Sequence, residues 1–440
     1  MVCHCNTLES KKPRARDLGI PFDGVPGKYN AITDVDGIQV GFSTIIEGDS
    51  IRTGVTAIFP RRTNSDRSQS PCFANWFSLN GNGEITGIHR LAESGLLTCP
   101  ILITNTLSVG ICRDSLIRWF LQKNQNCPVD ALIDVCLPIV AETWDGYLND
   151  YHVFSVKEEH VFEALNNAEK SNGFIREGNI GGGTGMICFG FKGGTGTSSR
   201  KVDDLNYTVG VLVQANFGRK KQLIIAGVPV GKEMLEMGMN ISAVPDEDAG
   251  SLIVILATDA PLLPHQLKRL ATRVSLGLGK LGSISGDSSG DIFLAFSTAT
   301  ISNVPMMKTA EFLPNDQMNP LFAATIQCVE EAIVNAMIAA ETMVGYNGAQ
   351  TNNHVEGCHH RLNNDLNNVV HPHFYIFIHV IQNDYAYNLA ISSCHLATGI
   401  LPPRKKLFVN RNARLHNLEE RFKHQTLILN EYLEKVMRLI

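Results

Sequence analysis

The sequence predicts a layered α/β domain, on three observations. Short apolar segments rich in Val, Ile and Phe recur from Tyr29 to about Gly345, glycine-rich turns punctuate them, and longer segments with helical periodicity fall between. Strand character is found at 36–42, 53–60, 101–107, 130–140, 186–191, 207–214, 222–230, 251–258 and 291–297. Helices are predicted at 111–123, 155–169, 263–280 and 321–344. In the last, Phe322, Ile326, Val329, Ile333 and Met337 recur three or four residues apart and form one apolar stripe.

The glycines, 38 in all, cluster as NGNG at 80–83, GGGTG at 181–185, KGGTG at 192–196 and SGDSSGD at 285–291. Glycine tolerates positive φ and close backbone approach, so all four clusters are predicted to be turns at strand ends. Neither GGGTG nor KGGTG continues into the Lys-Ser/Thr pair of a phosphate-binding loop.

Composition narrows the class. With 440 residues, 44% of them hydrophobic and 18% charged, the chain can bury one large core or two modest ones, and general disorder is excluded. A net charge of -5 argues against a broad basic face for nucleic acid. The 11 cysteines form no dense framework, so reduced thiols in a cytoplasmic protein are the simpler account. No signal peptide is read in the opening MVCHCNTLESKKPRARDLGI, and the long apolar stretches are broken before about 20 residues, so no membrane span is expected.

Beyond about residue 350 the strand and turn rhythm fades. Nine of the 14 histidines lie there, among them His354, His359, His360, His371 and His373 around Cys358. This cluster lacks the two well-separated ligand couples of a structural zinc site, so no metal or other cofactor is expected. A terminal helix is predicted over 416–438.

Three segments can carry chemistry. In LGSISGDSSGDIFLAFST, residues 281–298, Ser288 and Ser289 stand between Gly286-Asp287 and Gly290-Asp291 just before an apolar strand. That places a hydroxyl on a tight turn at a sheet edge, either for catalysis or simply as turn chemistry; it is not a GxSxG elbow. In AETWDGYLNDYHVF, residues 141–154, Glu142, Asp145, Asn149 and Asp150 alternate with Trp144, Tyr147 and Tyr151 after an apolar segment. Such a mixture suits a binding cleft, with aromatic contact area and a carboxylate for an amine, and equally suits a solvated loop anchored by its aromatics. Asn216 ends the apolar VLVQAN run, where its amide can serve a developing oxyanion or an ordinary turn.

These segments, with RARDLGI at 14–20, AITDVDGIQVGFSTI at 31–45, LNGNGEITG at 79–87, EGNIGGGTGM at 177–186 and the EEAIVNAMIAAETMVG helix at 330–345, resemble the L-aminopeptidase/D-esterase and β-aminopeptidase family. The likeness spans roughly residues 14–345. It implies a DOM-type four-layer α/β/β/α sandwich within 14–345, an extension at 1–13, a divergent region at 346–440, and self-cleavage before a nucleophilic serine. By that match Ser289 is the nucleophile, Ser288–Ser289 the scissile bond, Glu331 an assisting carboxylate and Asn216 an oxyanion donor. Glu142 is then the receptor for the substrate ammonium, beside Trp144 and Tyr147. The resemblance further implies small peptide, amide or ester substrates and a homo-oligomer. This chain differs from the family in having Ser288 before the nucleophile, Val329 where a hydroxyl is common, and an altered end. Those differences keep open an uncleaved binding or structural role; an acyltransferase of related fold would expose threonine instead.

Overall fold

The computed structural model describes residues 12–61, 71–125, 136–171, 173–236, 250–304 and 307–351. Strands β1 (Gln39–Glu47) and β2 (Ile51–Phe59) form an antiparallel pair. Then come β3 (Cys72–Gly81), helix α1 (Ile88–Ser94), β4 (Leu96–Leu97), β5 (Ile101–Asn105), helix α2 (Val109–Lys123), β6 (Ile139–Thr143) and helix α3 (Glu158–Glu169). Short strands β7 (Ile187–Cys188) and β8 (Phe191–Lys192) precede the long hairpin β9 (Gly194–Val202) and β10 (Tyr207–Asn216). Helix α4 (Val230–Glu236), β11 (Ser251–Thr258), helix α5 (Pro264–Lys280) and β12 (Gly290–Ser297) follow. A small hairpin, β13 (Ser302–Val304) and β14 (Met307–Thr309), leads to helix α6 (Asn319–Ala339), and β15 (Met343–Val344) pairs with β16 (Gln350–Thr351). All described residues except Gly19–Pro21 fall in one of the chain's two units.

Two sheets carry the fold. One has the order β1-β2-β5-β6 and the other β4-β3-β12-β11-β10-β9. Both are mixed: β5 runs parallel to β6 and β11 to β12, while the other pairings are antiparallel. Strands β2 and β11 are buried along their whole length; β11 is a nearly continuous apolar run, as a strand covered on both faces is, whereas β2 also buries Arg52, Thr53 and Thr56. Ile58 and Ile103 of the first sheet share one hydrophobic cluster with Leu212, Ile253 and Leu294 of the second. A second cluster joins Val55, Phe59, Leu102 and Val140 to Leu116 and Trp119 of α2 and to Val161 and Leu165 of α3. Helix α5 packs on β3 and β12, and α6 on β9 and β10.

Local sequence explains the long helices. Pro264 opens α5, where a missing N–H costs nothing, and Gln266 accepts the N–H of Leu263 at 2.9 Å. Leu267, Leu270, Ala271, Val274 and Leu278 then bury one stripe. Helix α6 is apolar almost all round. By length and composition alone it is apolar enough to cross a membrane, yet Glu330, Glu331 and Asn335 interrupt it and 78% of its most apolar window is buried inside the protein.

Three readings of the sequence are corrected. The segment 222–230 is no strand: a single turn of 3₁₀-helix at Lys220–Gln222 and an Ile225/Val228 bridge lead into α4. Strand β3 was not anticipated, because its asparagines and serine mask the alternation. Strand β9 was missed too, since KGGTG reads as a turn but lies largely in the strand. Its hydroxyls are buried without penalty because they donate to backbone carbonyls: Thr195 to Ile180, Thr197 to Val211 and Ser198 to Cys328, at 2.9, 2.7 and 2.6 Å. The predicted terminal helix at 416–438 lies outside the described residues.

Glycine sets how near α6 can come to β9. A Cβ at Gly196 would stand 2.0 Å from the carbonyl oxygen of Ala332 and 2.7 Å from the Cβ of Ala336. Gly196→Ala is therefore expected to destabilise the protein by about 1–3 kcal/mol through overpacking, measured as a lowered denaturant midpoint.

Candidate active site

The start of β12 organises the site. Ser289 is 3% exposed, and its Oγ donates to Oδ1 of the buried Asp291 at 3.0 Å. The other oxygen of Asp291 accepts the hydroxyl of Ser285, a residue held in the left-handed region at φ 49°. Ser289 N–H donates to Gly286 O at 2.9 Å, closing the turn. The SGDSSGD segment thus places two hydroxyls on one carboxylate.

Strand β3 supplies the facing wall. Its pairing with β12 slips between Asp291 and Ile292, since Asn80 lies opposite Asp291 while Ser78 lies opposite Ile292. Such a bulge re-aims side chains at a strand end. Asn80 Nδ2 donates to Gly286 O at 2.6 Å, and Asn82 Nδ2 donates to the carbonyl of Ser288 at 2.8 Å. Two glycines allow this contact: a Cβ on Gly290 would stand 2.6 Å from Asn82 O, and one on Gly83 would stand 3.2 Å from both the Gly290 Cα and Glu142 Oε1.

Glu142, near the end of β6, therefore faces the start of β12 with only Gly83 between. Its Oε1 accepts the N–H of Glu84 at 2.8 Å and its Oε2 accepts the hydroxyl of Thr106. Burial pushes its carboxyl above the usual glutamate range, opposed by these two hydrogen bonds.

The residues after Glu142 form an aromatic shelf. Trp144 is 41% exposed and packs on Tyr151 at 4.9 Å, which stacks on His152 at 4.2 Å. Tyr147 is half-buried, and burial raises its phenol pKa. Asp145 is buried, with its pKa pushed up to about 7 by loss of solvent. Asn216 holds the shelf to the sheet: Nδ2 donates to Trp144 O at 2.7 Å and Oδ1 accepts Ile187 N–H at 2.8 Å. It pairs with Ser251, and Ser251 with Gly290, so it shares the serine's end of the sheet, but its side-chain bonds run to Trp144 and Ile187 and not to Ser289.

Glu331, expected to assist the serine, is bonded to other groups. It is 0% exposed, ion-paired with Arg200 at 2.7 Å and with Arg16 at 2.9 Å, and accepts Asn30 Nδ2 at 2.5 Å. Arg200 is level with Val209, Thr258 and Ser297, whereas Gly196, against which Ala332 of α6 packs, is level with Val213, Val254 and Phe293, three residues along β12 from Gly290. Glu330 pairs instead with Lys280. Val329 is a packing residue, since a Cβ on Gly277 of α5 would meet its side chain at 2.7 Å.

The structure thus brings together Ser288, Ser289 and Glu142, keeps Trp144, Tyr147 and Asn216 at the same end, and ties Glu331 to Arg16, Asn30 and Arg200. Sequence reading missed the parts played by Asn80, Asn82, Gly83, Thr106 and Asp291. Two signals were present: NGNG at 80–83 offered asparagines between glycines, and Asp291 closed the serine motif.

The model of peptidase family S58 matches residues 30–351. The chain belongs to peptidase family S58. It is a serine aminopeptidase, a hydrolase acting on peptide or amide bonds. A β-peptidyl aminopeptidase, BapA of Sphingosinicella microcystinivorans, is 46% identical over 366 residues, covering 76% of this chain and 88% of the relative. The solved L-aminopeptidase D-Ala-esterase/amidase of Ochrobactrum anthropi superposes with a TM-score of 0.71 at 43% identity, covering 80% of this chain and 99% of that one. A β-aminopeptidase of Burkholderia sp. gives a TM-score of 0.70 at 43% identity, covering 82% and 100%. The mixed α/β fold of this S58 member resembles the variant of the Ntn-hydrolase fold described for the Ochrobactrum enzyme.

Breaking a buried ion pair from one side leaves uncompensated charge. Glu331→Ala strands Arg16 and Arg200 and is expected to cost about 3–5 kcal/mol of stability, read as a lowered denaturant midpoint.

Proposed function

We propose that this S58 peptidase matures by cutting its own Ser288–Ser289 bond and then uses Ser289 as the nucleophile on substrates with a free amino group. The observation that carries this reading is the buried Ser289 hydroxyl on Asp291, with the Glu142 carboxylate facing it across Gly83. A cut there leaves chains of 288 and 152 residues (440 - 288 = 152). It frees an α-amine with a reference pKa of about 7.7–8.0, suited to take the proton of Ser289 near neutral pH.

In the mature enzyme the substrate ammonium docks on Glu142, and the side chain next to it lies on the shelf of Trp144 and Tyr147. Ser289 Oγ attacks the carbonyl while its own amine accepts the proton and delivers it to the leaving nitrogen. Water then hydrolyses the acyl-enzyme. Serine, amine and amide donors supply this chemistry without a cofactor. Likeness to β-peptidyl and L-aminopeptidases supports short peptides, amides and esters bearing an α- or β-amino group as substrates. We further propose the layer order α/β/β/α, since the sheets share one core and each carries two helices. Cleaved units assembling into a homo-oligomer, with the catalytic domain ending near residue 345 and a divergent region beyond it, complete the reading. A cytoplasmic, reducing location fits the free thiols of Cys72, Cys112, Cys188 and Cys328.

Two measurements test this. Sequencing the smaller chain is expected to read SGDIF, and Ser289→Ala to leave one intact, inactive polypeptide; a first residue other than Ser289 rejects the assignment. Glu142→Gln is expected to lower kcat/KM for free-amine substrates at least tenfold, since a desolvated charge partner is worth about 2–5 kcal/mol. The pH dependence follows in sign. The raised pKa of Glu142 means that its charge is lost, and kcat/KM falls, at a less acidic pH than for an ordinary glutamate. Equal turnover of acetylated and free peptides would reject Glu142 as the ammonium receptor.

A further inference from the structure

We infer that Asn82 and Asp291 are catalytic residues of the self-cleavage step, Asn82 as oxyanion donor and Asp291 as general base. The inference rests on the proposed cut at Ser288–Ser289. It starts from two contacts with the atoms that would react. The Ser288 carbonyl, which Ser289 must attack, accepts Asn82 Nδ2 at 2.8 Å. The Ser289 hydroxyl, which must lose its proton, donates to Asp291 Oδ1 at 3.0 Å.

Both groups are held in place independently of the bond to be cut. Asp291 begins a fully buried strand and is also bound by the Ser285 hydroxyl. Asn82 follows the bulged end of β3, and the next residue, Gly83, packs against Gly290 at a distance that admits no side chain on Gly290 and leaves little room for one on Gly83. Asn80 steadies the turn from the same strand by its bond to Gly286 O, which also accepts Ser289 N–H. A donor fixed on the carbonyl before reaction stabilises the developing negative charge without reorganisation.

The step balances as follows. Ser289 Oγ gives its proton to Asp291 and bonds to the Ser288 carbonyl carbon, and the resulting oxyanion stays on the Asn82 N–H. The C–N bond then breaks as Asp291 returns the proton to the departing Ser289 nitrogen. This yields an ester from Ser288 to Ser289 Oγ and a free α-amine. Water adds its hydroxyl to the acyl carbon and a proton to Oγ, releasing the free serine hydroxyl and the Ser288 carboxylic acid, which loses its proton to solvent. Asn82 thus serves maturation, while the mature site uses the freed amine as its base.

The test follows loss of the full-length chain by intact mass after cell-free synthesis. Three chains are compared: the wild type, Asn82→Leu and Asp291→Asn. Removal of one oxyanion donor is expected to slow first-order cleavage on the order of 100-fold, and Asp291→Asn to slow it at least as much, with circular dichroism like that of Ser289→Ala. Asn82→Asp, which keeps the shape but offers no N–H, serves if the leucine variant fails to fold and is expected to be equally slow. A wild type that cuts while Asn82→Asp and Asp291→Asn cut at its rate overturns the assignment alone. A wild type that remains whole overturns the cut itself, and the assignment with it.

Discussion

The site depends on one close approach, between Gly83 after β3 and Gly290 at the start of β12. A Cβ on Gly290 would lie 2.9 Å from the Gly83 Cα, so the two backbones meet with no side chain between them. That approach puts Asn82 on the Ser288 carbonyl from one side and leaves Glu142 facing the serine turn from the other. The Glu84 N–H that binds Glu142 comes from the same turn. One steric allowance thus couples a strand of each sheet to the reactive bond. The bulge in β3 sets where that turn points, which explains why its pairing with β12 is irregular only at Asp291/Ile292.

The rest of the molecule reads as a frame that survives the proposed cut. Strand β12, which the cut would place in the second chain, lies between β3 and β11 of the first. Against β9 of the same sheet, Glu331 of the second chain is buried between Arg16 and Arg200 of the first. Asn335 adds neutral links beside it, accepting Ala15 N–H at 3.0 Å and donating to Thr197 O at 3.1 Å. Such a cluster does little for net stability compared with an apolar core, but it is costly to break from one side. It therefore resists separation of the two products while leaving the new serine terminus free to act.

Much of this was legible in the sequence, for a physical reason that also explains the failures. Strands such as β10, β11 and β12 are buried on both faces and write themselves as largely apolar runs, whereas β9 buries hydroxyls that are satisfied by carbonyls and so looks like loop. The serine turn and the Glu142 segment stood out because polar groups at the ends of apolar strands are unusual and local. The ion pairs of Glu331 were not legible because its partners Arg16 and Asn30 lie 315 and 301 residues away. Helical spacing records which side of α6 a residue takes but not which distant groups meet it there. Asn82 went unread for a related reason, since a turn asparagine gains its role only when another strand brings a carbonyl to it.

The electrostatics of Glu142 give the proposed selectivity a physical basis. Its carboxylate is buried, it accepts two hydrogen bonds, and no cation is paired with it among the described residues. Burial raises its pKa, which means that the charged form is held at a cost. A substrate ammonium supplies the missing countercharge and lowers that cost, so part of the binding energy comes from relief of a strain already present in the protein. An acylated nitrogen has no charge to offer and would bury the same carboxylate without compensation. Preference for a free amine then follows from the carboxylate's environment and not from its identity alone, and an α- or a β-amino group satisfies it if the carbonyl still reaches Ser289.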